Sequence, residues 1–236
     1  MKNKIILTLC ILFLLGNLHG AAEKNKIIRD EANKNRFVHN LDRALEYLES
    51  VCGKDGIEKV VVLKDGKTVF EGSAIKSVQN VWSCTKSFTS TILGLLVDEN
   101  KCHPDDKVWW YLPELKARYP EVTFRHFATM TSGYKAMGDD KAGGHGQSRT
   151  PFIPSPDPNA PPGNEFLYWD SAMNMFAKAL TKVAGEPLKE YFKRKVAEPV
   201  GMDPDGWDWR DFGVIDGVKV NGGAGNKGNG IHICAT

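Results

Sequence analysis

The chain has 236 residues, 42% of them hydrophobic and 25% charged, a balance that fits a folded globular protein and excludes a low-complexity or disordered one. With 31 basic residues against 29 acidic, it lacks the basic excess that a nucleic-acid groove or an anionic membrane surface requires, so neither partner is expected. The length accommodates one large domain or two small ones and does not by itself choose between them.

Residues 1–22 read as an export signal. Lys2 and Lys4 form a basic start, Ile5 to Leu15 an apolar stretch too short for a comfortable membrane span, and Gly20-Ala21-Ala22 a small-residue cleavage site. Cys10 lies inside the apolar stretch with no small residue before it, which does not fit a lipoprotein signal. Removing this segment takes away two lysines and leaves 29 basic and 29 acidic residues, a formal charge of zero. The expected product is exported, periplasmic or extracellular, with no stable membrane insertion after cleavage. Four cysteines then remain, Cys52, Cys84, Cys102 and Cys234, at irregular spacing that gives no disulfide framework; if one bridge forms, Cys52 to Cys102 is the expected pairing.

Residues 23–36 are polar and read as a frayed segment. From there Phe37, Leu41, Ala44, Leu45 and Leu48 recur at helical spacing, so a helix is expected over Asn35 to Ser50. Ile57 to Leu63 and Thr68 to Gly72 flank Lys64-Asp65-Gly66-Lys67, the signature of a β-hairpin.

The chain contains two Ser-x-x-Lys spacings. In a helix, residues i and i+3 share a face, so the amine can reach the hydroxyl and activate it as a nucleophile. Ser73 and Lys76 follow Gly72 with no apolar helical run behind them and read as an exposed loop. Ser83 and Lys86 precede Phe88, Ile92, Leu95 and Leu96, which line one face of a helix to about Glu99. Ser83 then lies at a helix N-terminus, where free amides and the helix dipole favour developing negative charge. The same position suits a plain N-cap serine, and the local sequence does not separate these readings.

Further on, Val108-Trp109-Trp110-Tyr111-Leu112-Pro113 reads as a bulky apolar turn whose tryptophans belong to core or wall. Thr123 caps a short helix, Phe124 to Met130, in which His126 reads as a structural hydrogen-bonding residue. Met137 to Gly163 is a long loop with His145 among glycines. No His-Glu-x-x-His or Cys-x-x-Cys pattern accompanies His145, so it reads as solvated and no metal is expected. Tyr168-Trp169-Asp170 leads into a helix with Met173, Phe176 and Leu180 as its stripe. Pro187 to Lys195 is a further short helix, closed by the turn Glu198 to Met202. Trp207 and Trp209 are expected to pack on the body, before a glycine- and asparagine-rich stretch from Gly222 to Gly230.

Five stretches in order resemble the serine hydrolases related to class C β-lactamases, D-alanyl-D-alanine carboxypeptidases, their esterase relatives and 6-aminohexanoate-oligomer hydrolases. They are Ser83-Cys84-Thr85-Lys86-Ser87-Phe88; Asp105-Asp106-x-Val108 leading to Tyr111-Leu112-Pro113-Glu114; Phe124-Arg125-His126 through Thr131-Ser132-Gly133-Tyr134; Pro162-Gly163-x-x-Phe166-x-Tyr168; and Glu198-Pro199-Val200-Gly201-Met202. The resemblance covers about Phe37 to Thr236. It implies a β-lactamase/transpeptidase-like α/β fold of the α+β type, with an antiparallel sheet, flanking helices and a helical region. It places the hydrolase domain, as the N-terminal portion of such a fold, at residues 37–236. It also implies an acyl-enzyme mechanism without a cofactor, acting on a small-molecule or peptide-like amide or ester. Ser83 is then the nucleophile, Lys86 holds and shuttles its proton, Tyr168 is the general base and acid, and the Ser83 amide is half of an oxyanion hole.

The sequence departs from the family pattern twice. Where relatives carry Tyr-x-Asn this chain has Tyr168-Trp169-Asp170, so the expected substrate-binding position, Asp170, is a carboxylate that would hold Lys86 protonated. That favours Tyr168 over Lys86 as proton acceptor and disfavours a β-lactam substrate. No Lys-Thr-Gly or His-x-Gly motif follows Tyr168, so the family's later strands are expected to be missing. Two alternatives therefore stand beside the hydrolase: a non-catalytic ligand-binding or sensor domain of the same fold, or an inactive truncated fragment.

Overall fold

The computed structural model describes residues 23–134 and 159–235. The export-signal reading of residues 1–22 and His145 with most of its loop lie outside them. The described residues form two compact units, one running to Ser77 with Ala235 added, the other from Val78 to Cys234.

In the first unit, helix α1 spans Glu23–Ile57, longer at both ends than the apolar spacing predicts. The polar residues read as frayed are its opening turns. Gly53, at φ 68° and ψ 177°, breaks the regular backbone near the end. Phe37, Leu41, Leu45 and Leu48 are its half-buried stripe, as their spacing requires, whereas Ala44 is exposed. The ammonium of Lys64 sits 4.1 Å above the Phe37 ring. Strands β1 (Val61–Lys64) and β2 (Lys67–Glu71) form the expected antiparallel hairpin. Its two turn residues, Asp65 and Gly66, both take positive φ, the backbone twist that lets two strands meet across a two-residue turn. Ser73 lies in the turn beyond β2, and among the described residues no hydrogen bond joins it to Lys76.

The second unit is a four-stranded antiparallel sheet packed with helices. Its strands are β3 (Gln79–Asn80), β4 (Trp207–Ile215), β5 (Val218–Asn221) and β6 (Gly230–Ile233), in the order β3-β6-β4-β5. The helices are α2 (Thr85–Asp98), α3 (Phe124–Ala128), α4 (Asp170–Ala184), α5 (Leu188–Phe192) and α6 (Glu198–Val200). The mixed α/β architecture with an antiparallel sheet is the one expected. Ile92 and Leu96 of α2, Phe124 and Phe127 of α3, and Met173, Phe176 and Leu180 of α4 are all buried in one core. Burial of such a side chain contributes about 1.5–3 kcal/mol, so this core, rather than helix propensity, holds α2 and α4 together.

Several local expectations need correction. Helix α3 ends at Ala128, because Thr129 leaves helical geometry and Met130 takes a positive φ of 54°. Glu198–Val200 is helical rather than a simple turn, and the preceding Lys193–Ala197 is widened to a π-helical turn. Pro199 accounts for the widening, since it lacks an N–H and its ring crowds the carbonyl one turn back. Trp110 is exposed, whereas Trp207 and Trp209 are buried as expected. The four described cysteines are all free, so the Cys52–Cys102 bridge is not formed; the two residues belong to different units. Burial, and the neighbouring Asp106, push the half-buried Cys102 thiol up to about 11.

His126 is structural. Its Nδ1 accepts from the Thr123 amide at 3.2 Å while Thr123 Oγ1 accepts from the His126 amide at 3.3 Å, a reciprocal cap on α3. Partial burial first, then the nearby Lys107 charge, hold the imidazole below its ordinary range and therefore neutral, as an acceptor at Nδ1 must be.

Candidate active site

Ser83 sits in a single 3-10 turn, Trp82–Cys84, between β3 and α2. The turn is gripped by the sheet on both sides. The Val81 amide donates to the Ile231 carbonyl at 3.1 Å, and the Ile231 amide donates to Thr85 Oγ1 at 3.0 Å. Trp82 takes a left-handed φ of 46°, which is costly for a bulky residue, and its amide donates to Asn80 Oδ1 at 2.9 Å. The N-cap of α2 is Cys84, that of the 3-10 turn is Val81, and neither helix start has a side-chain cap bond. The Ser83 hydroxyl is thus not spent on capping, and the residue is exposed.

Lys86, one turn on and only 7% exposed, directs its ammonium to three acceptors. It donates to Ser83 Oγ at 3.0 Å and to the Ala224 carbonyl at 2.9 Å, and it lies 2.8 Å from Asp170 Oδ1. Two of its three N–H bonds are thus committed to Ser83 and Ala224, and Asp170 is held as an ion pair. Tyr168, immediately before α4, places its hydroxyl 2.7 Å from Ser83 Oγ, with the Lys86 ammonium 4.7 Å from its ring centroid. Asp170 is the first residue of α4, where the helix dipole favours a carboxylate. The buried pair Lys86–Asp170 carries no net charge, and its side chains are 9% and 8% exposed. Beside Lys86, a cleft of about 480 Å³ opens between Ser87, Ser90 and Thr91 of α2 and the side chains of Met130 and Met173. All four residues singled out from sequence, Ser83, Lys86, Tyr168 and Asp170, therefore meet at one place.

The backbone that closes the site was not singled out from sequence. Gly222 to Asn226 crosses the start of α2 as a buried strap. A Cβ on Gly223 would lie 2.2 Å from the Met173 carbonyl, and one on Gly225, at φ +81°, only 1.9 Å from the Trp82 carbonyl. Glycine is required there because two backbones pass in contact. Thr89 Oγ1 donates to the Gly223 carbonyl at 3.0 Å, and Asn174 Oδ1 accepts from the Gly223 and Ala224 amides at 3.1 and 3.2 Å. The signals available in sequence were the dense glycines and an asparagine one turn beyond Asp170.

An exposed serine on a strained turn, a buried lysine one helical turn on and a tyrosine hydroxyl against the serine, set in an α/β fold, define the class of β-lactamase/transpeptidase-like proteins. The chain belongs to the Beta-lactamase family, whose model matches residues 57–222 and whose members are serine hydrolases. It is similar to the D-alanyl-D-alanine-carboxypeptidase/endopeptidase AmpH of Escherichia coli K12, 27% identical over 188 residues, covering 69% of this chain and 48% of AmpH. The chain thus spans about half the length of the curated relatives it matches. Among solved structures, the octameric penicillin-binding protein homologue from Pyrococcus abyssi is 25% identical with a TM-score of 0.55, over 80% of this chain and 53% of that one. The D-alanine carboxypeptidase AmpC from Burkholderia cenocepacia shares the fold at 17% identity and a TM-score of 0.55, over 84% and 62% of the two chains.

Proposed function

We propose that this chain is an exported serine hydrolase, its hydrolase domain running from residue 37 onward, that cleaves an amide or ester through an acyl-enzyme on Ser83. The observation that carries the reading is the exposed Ser83 hydroxyl with Tyr168 at 2.7 Å and Lys86 at 3.0 Å. Lys86, paired with Asp170 and donating to Ser83 Oγ, orients the serine rather than taking its proton. Tyr168, after giving up its own hydroxyl proton to solvent, accepts the serine proton as Ser83 Oγ attacks the carbonyl carbon. The tetrahedral oxyanion forms at the start of the 3-10 turn, where the Ser83 amide supplies one half of the oxyanion hole. Its collapse breaks the bond to the leaving group, which takes the proton from Tyr168. Water then gives a proton to the Tyr168 oxygen as it attacks the acyl carbon; the bond from that carbon to Ser83 Oγ breaks, Tyr168 returns the proton to Ser83, and the acid is released.

The Asp170 carboxylate, 2.8 Å from Lys86, disfavours a substrate carboxylate there, so an ester or amide is preferred over a β-lactam. D-alanyl peptides, the substrates named for AmpH, are one amide class to test. The residue 1–22 pattern supports export to the periplasm or beyond. One observation favours a second reading, a ligand-binding or sensor domain acylated slowly or not at all: Lys86 is held in an ion pair with Asp170, which leaves Tyr168 alone to take the serine proton. Turnover of a chromogenic ester decides between them. The hydrolase reading requires that Ser83→Ala abolish turnover, and equal rates in the two proteins support the sensor.

A further inference from the structure

Asn174 is fully buried, one helical turn after Asp170 on α4. Its amide is committed in a definite direction. Oδ1 accepts from two successive backbone amides, Gly223 at 3.1 Å and Ala224 at 3.2 Å. Nδ2 faces Asn226 Oδ1 at 3.4 Å. Turning the amide over would set an NH2 group against two N–H donors, so the network allows one orientation. The residue whose amide is held on one side, Ala224, presents its carbonyl on the other to Lys86 Nζ at 2.9 Å. A single relay therefore runs from α4 through the strap to the lysine: Asn174 Oδ1, the Ala224 peptide, Lys86 Nζ, Ser83 Oγ. The strap cannot shift to compensate, because Gly223 and Gly225 already lie in backbone contact with Met173 and Trp82.

We infer that Asn174 is a positioning residue for the reaction, fixing the Ala224 carbonyl that aims the Lys86 ammonium at Ser83. Resting as it does on the Ser83 acyl-enzyme reading, the inference concerns the geometry of the lysine and not substrate contact. Asp170 fixes Lys86 from the start of α4 and Asn174 fixes it from one turn further on, so one helix holds two of the lysine's three acceptors. Misplacement of a positioning group by about 1 Å lowers a rate roughly 100-fold. Loss of the two amide bonds is expected to lower the acylation rate about 10- to 100-fold while leaving KM unchanged.

The test compares the full chain with its Asn174→Leu, Asn174→Asp and Asn226→Ala variants. The readouts are the rate of fluorophosphonate labelling, kcat and KM on a chromogenic ester, and melting temperature. Asn174→Leu removes the acceptor and should cut labelling and kcat at constant KM. Asn174→Asp keeps an oxygen for both amides and should recover part of the rate. Asn226→Ala removes the partner of Nδ2 alone, which loosens the amide, and should fall between; if Asn174→Leu does not fold, this variant alone decides. A readout independent of turnover is reductive methylation of Lys86 followed by peptide mass mapping, which should be slow in wild type and faster in Asn174→Leu or Asn226→Ala. Wild-type labelling and methylation rates in the folded variants, with only the melting temperature lowered, would overturn the positioning role. Labelling that survives Ser83→Ala would instead overturn the Ser83 reading, whatever the Asn174 variants do.

Discussion

Asp170→Asn probes the feature that most separates this site from the Tyr-x-Asn pattern of its relatives. The carboxylate and the Lys86 ammonium are 2.8 Å apart, with side chains 8% and 9% exposed. Removing one partner of a buried ion pair costs about 3–5 kcal/mol when the other charge is left with nothing. Here Lys86 would keep Ser83 Oγ, the Ala224 carbonyl and the new amide oxygen, so the loss reduces to that of one charge-assisted bond, about 1.5–3 kcal/mol. For a chain of this size about 1 kcal/mol shifts Tm by roughly 2–4 °C, so the variant should melt roughly 3–12 °C lower at pH 7. The same change should raise, not lower, the capacity of Lys86 to act as a base, because an ammonium no longer paired with a carboxylate gives up its proton more readily. Differential scanning calorimetry, with the pH dependence of fluorophosphonate labelling, reads both effects. The labelling rate should rise at lower pH in the variant than in wild type. An unchanged Tm together with an unchanged pH profile would refute the claim that Asp170 holds Lys86 as an ammonium.

Tyr168→Phe deletes only the hydroxyl 2.7 Å from Ser83 Oγ and should lower labelling about 100- to 10,000-fold with Tm within a few degrees; a loss below tenfold would remove Tyr168 as the proton acceptor. For His126, the folded chain resists protonation below the ordinary value of 6.5 while the unfolded chain does not. Its contribution to stability is therefore complete above about pH 6.5 and declines as the pH falls through that value toward the folded pKa. The drop in Tm from pH 7.5 to 5.5 should be smaller in His126→Gln than in wild type, and equal drops would count against a neutral cap. Gly225→Ala should destabilise severely, by more than about 3 kcal/mol, since backbone strain and an overpacked contact add. Its Cβ would meet the Trp82 carbonyl at 1.9 Å, whereas Gly217→Ala, at a similar φ of +79° with nothing within 4 Å, should cost only the strain, about 1–2 kcal/mol. Equal melting temperatures for the two variants would contradict the close approach of the strap.

What could be read from the residues and what could not divide along physical lines. The Ser83–Lys86 pair, the α2 stripe and the Asp65-Gly66 hairpin are local, set by helical spacing or by turn chemistry within a few residues, and they were legible. Tyr168 was legible through its motif, and the ion pair was foreseen from the carboxylate at Asp170. The third acceptor of Lys86 was not, because Ala224 lies 138 residues away and contributes only its backbone carbonyl. A backbone group leaves no mark on residue type at its own position. Its traces are indirect, in the glycines that let the strap approach and in Asn174, which ties it to α4. The start of α1 is not legible for the opposite reason: polar residues carry no apolar period, and a helix can continue through them. The π-helical turn before α6 was written in Pro199, but only after the preceding segment was known to be helical.

The central claim is that Ser83, not Ser73 and not another hydroxyl, is the acylated residue. Peptide mass mapping after treatment with a fluorophosphonate tests it most directly. The account predicts one adduct, on the peptide containing Ser83, absent in Ser83→Ala and retained in Ser73→Ala. An adduct on Ser73, or labelling that persists in Ser83→Ala, would contradict it.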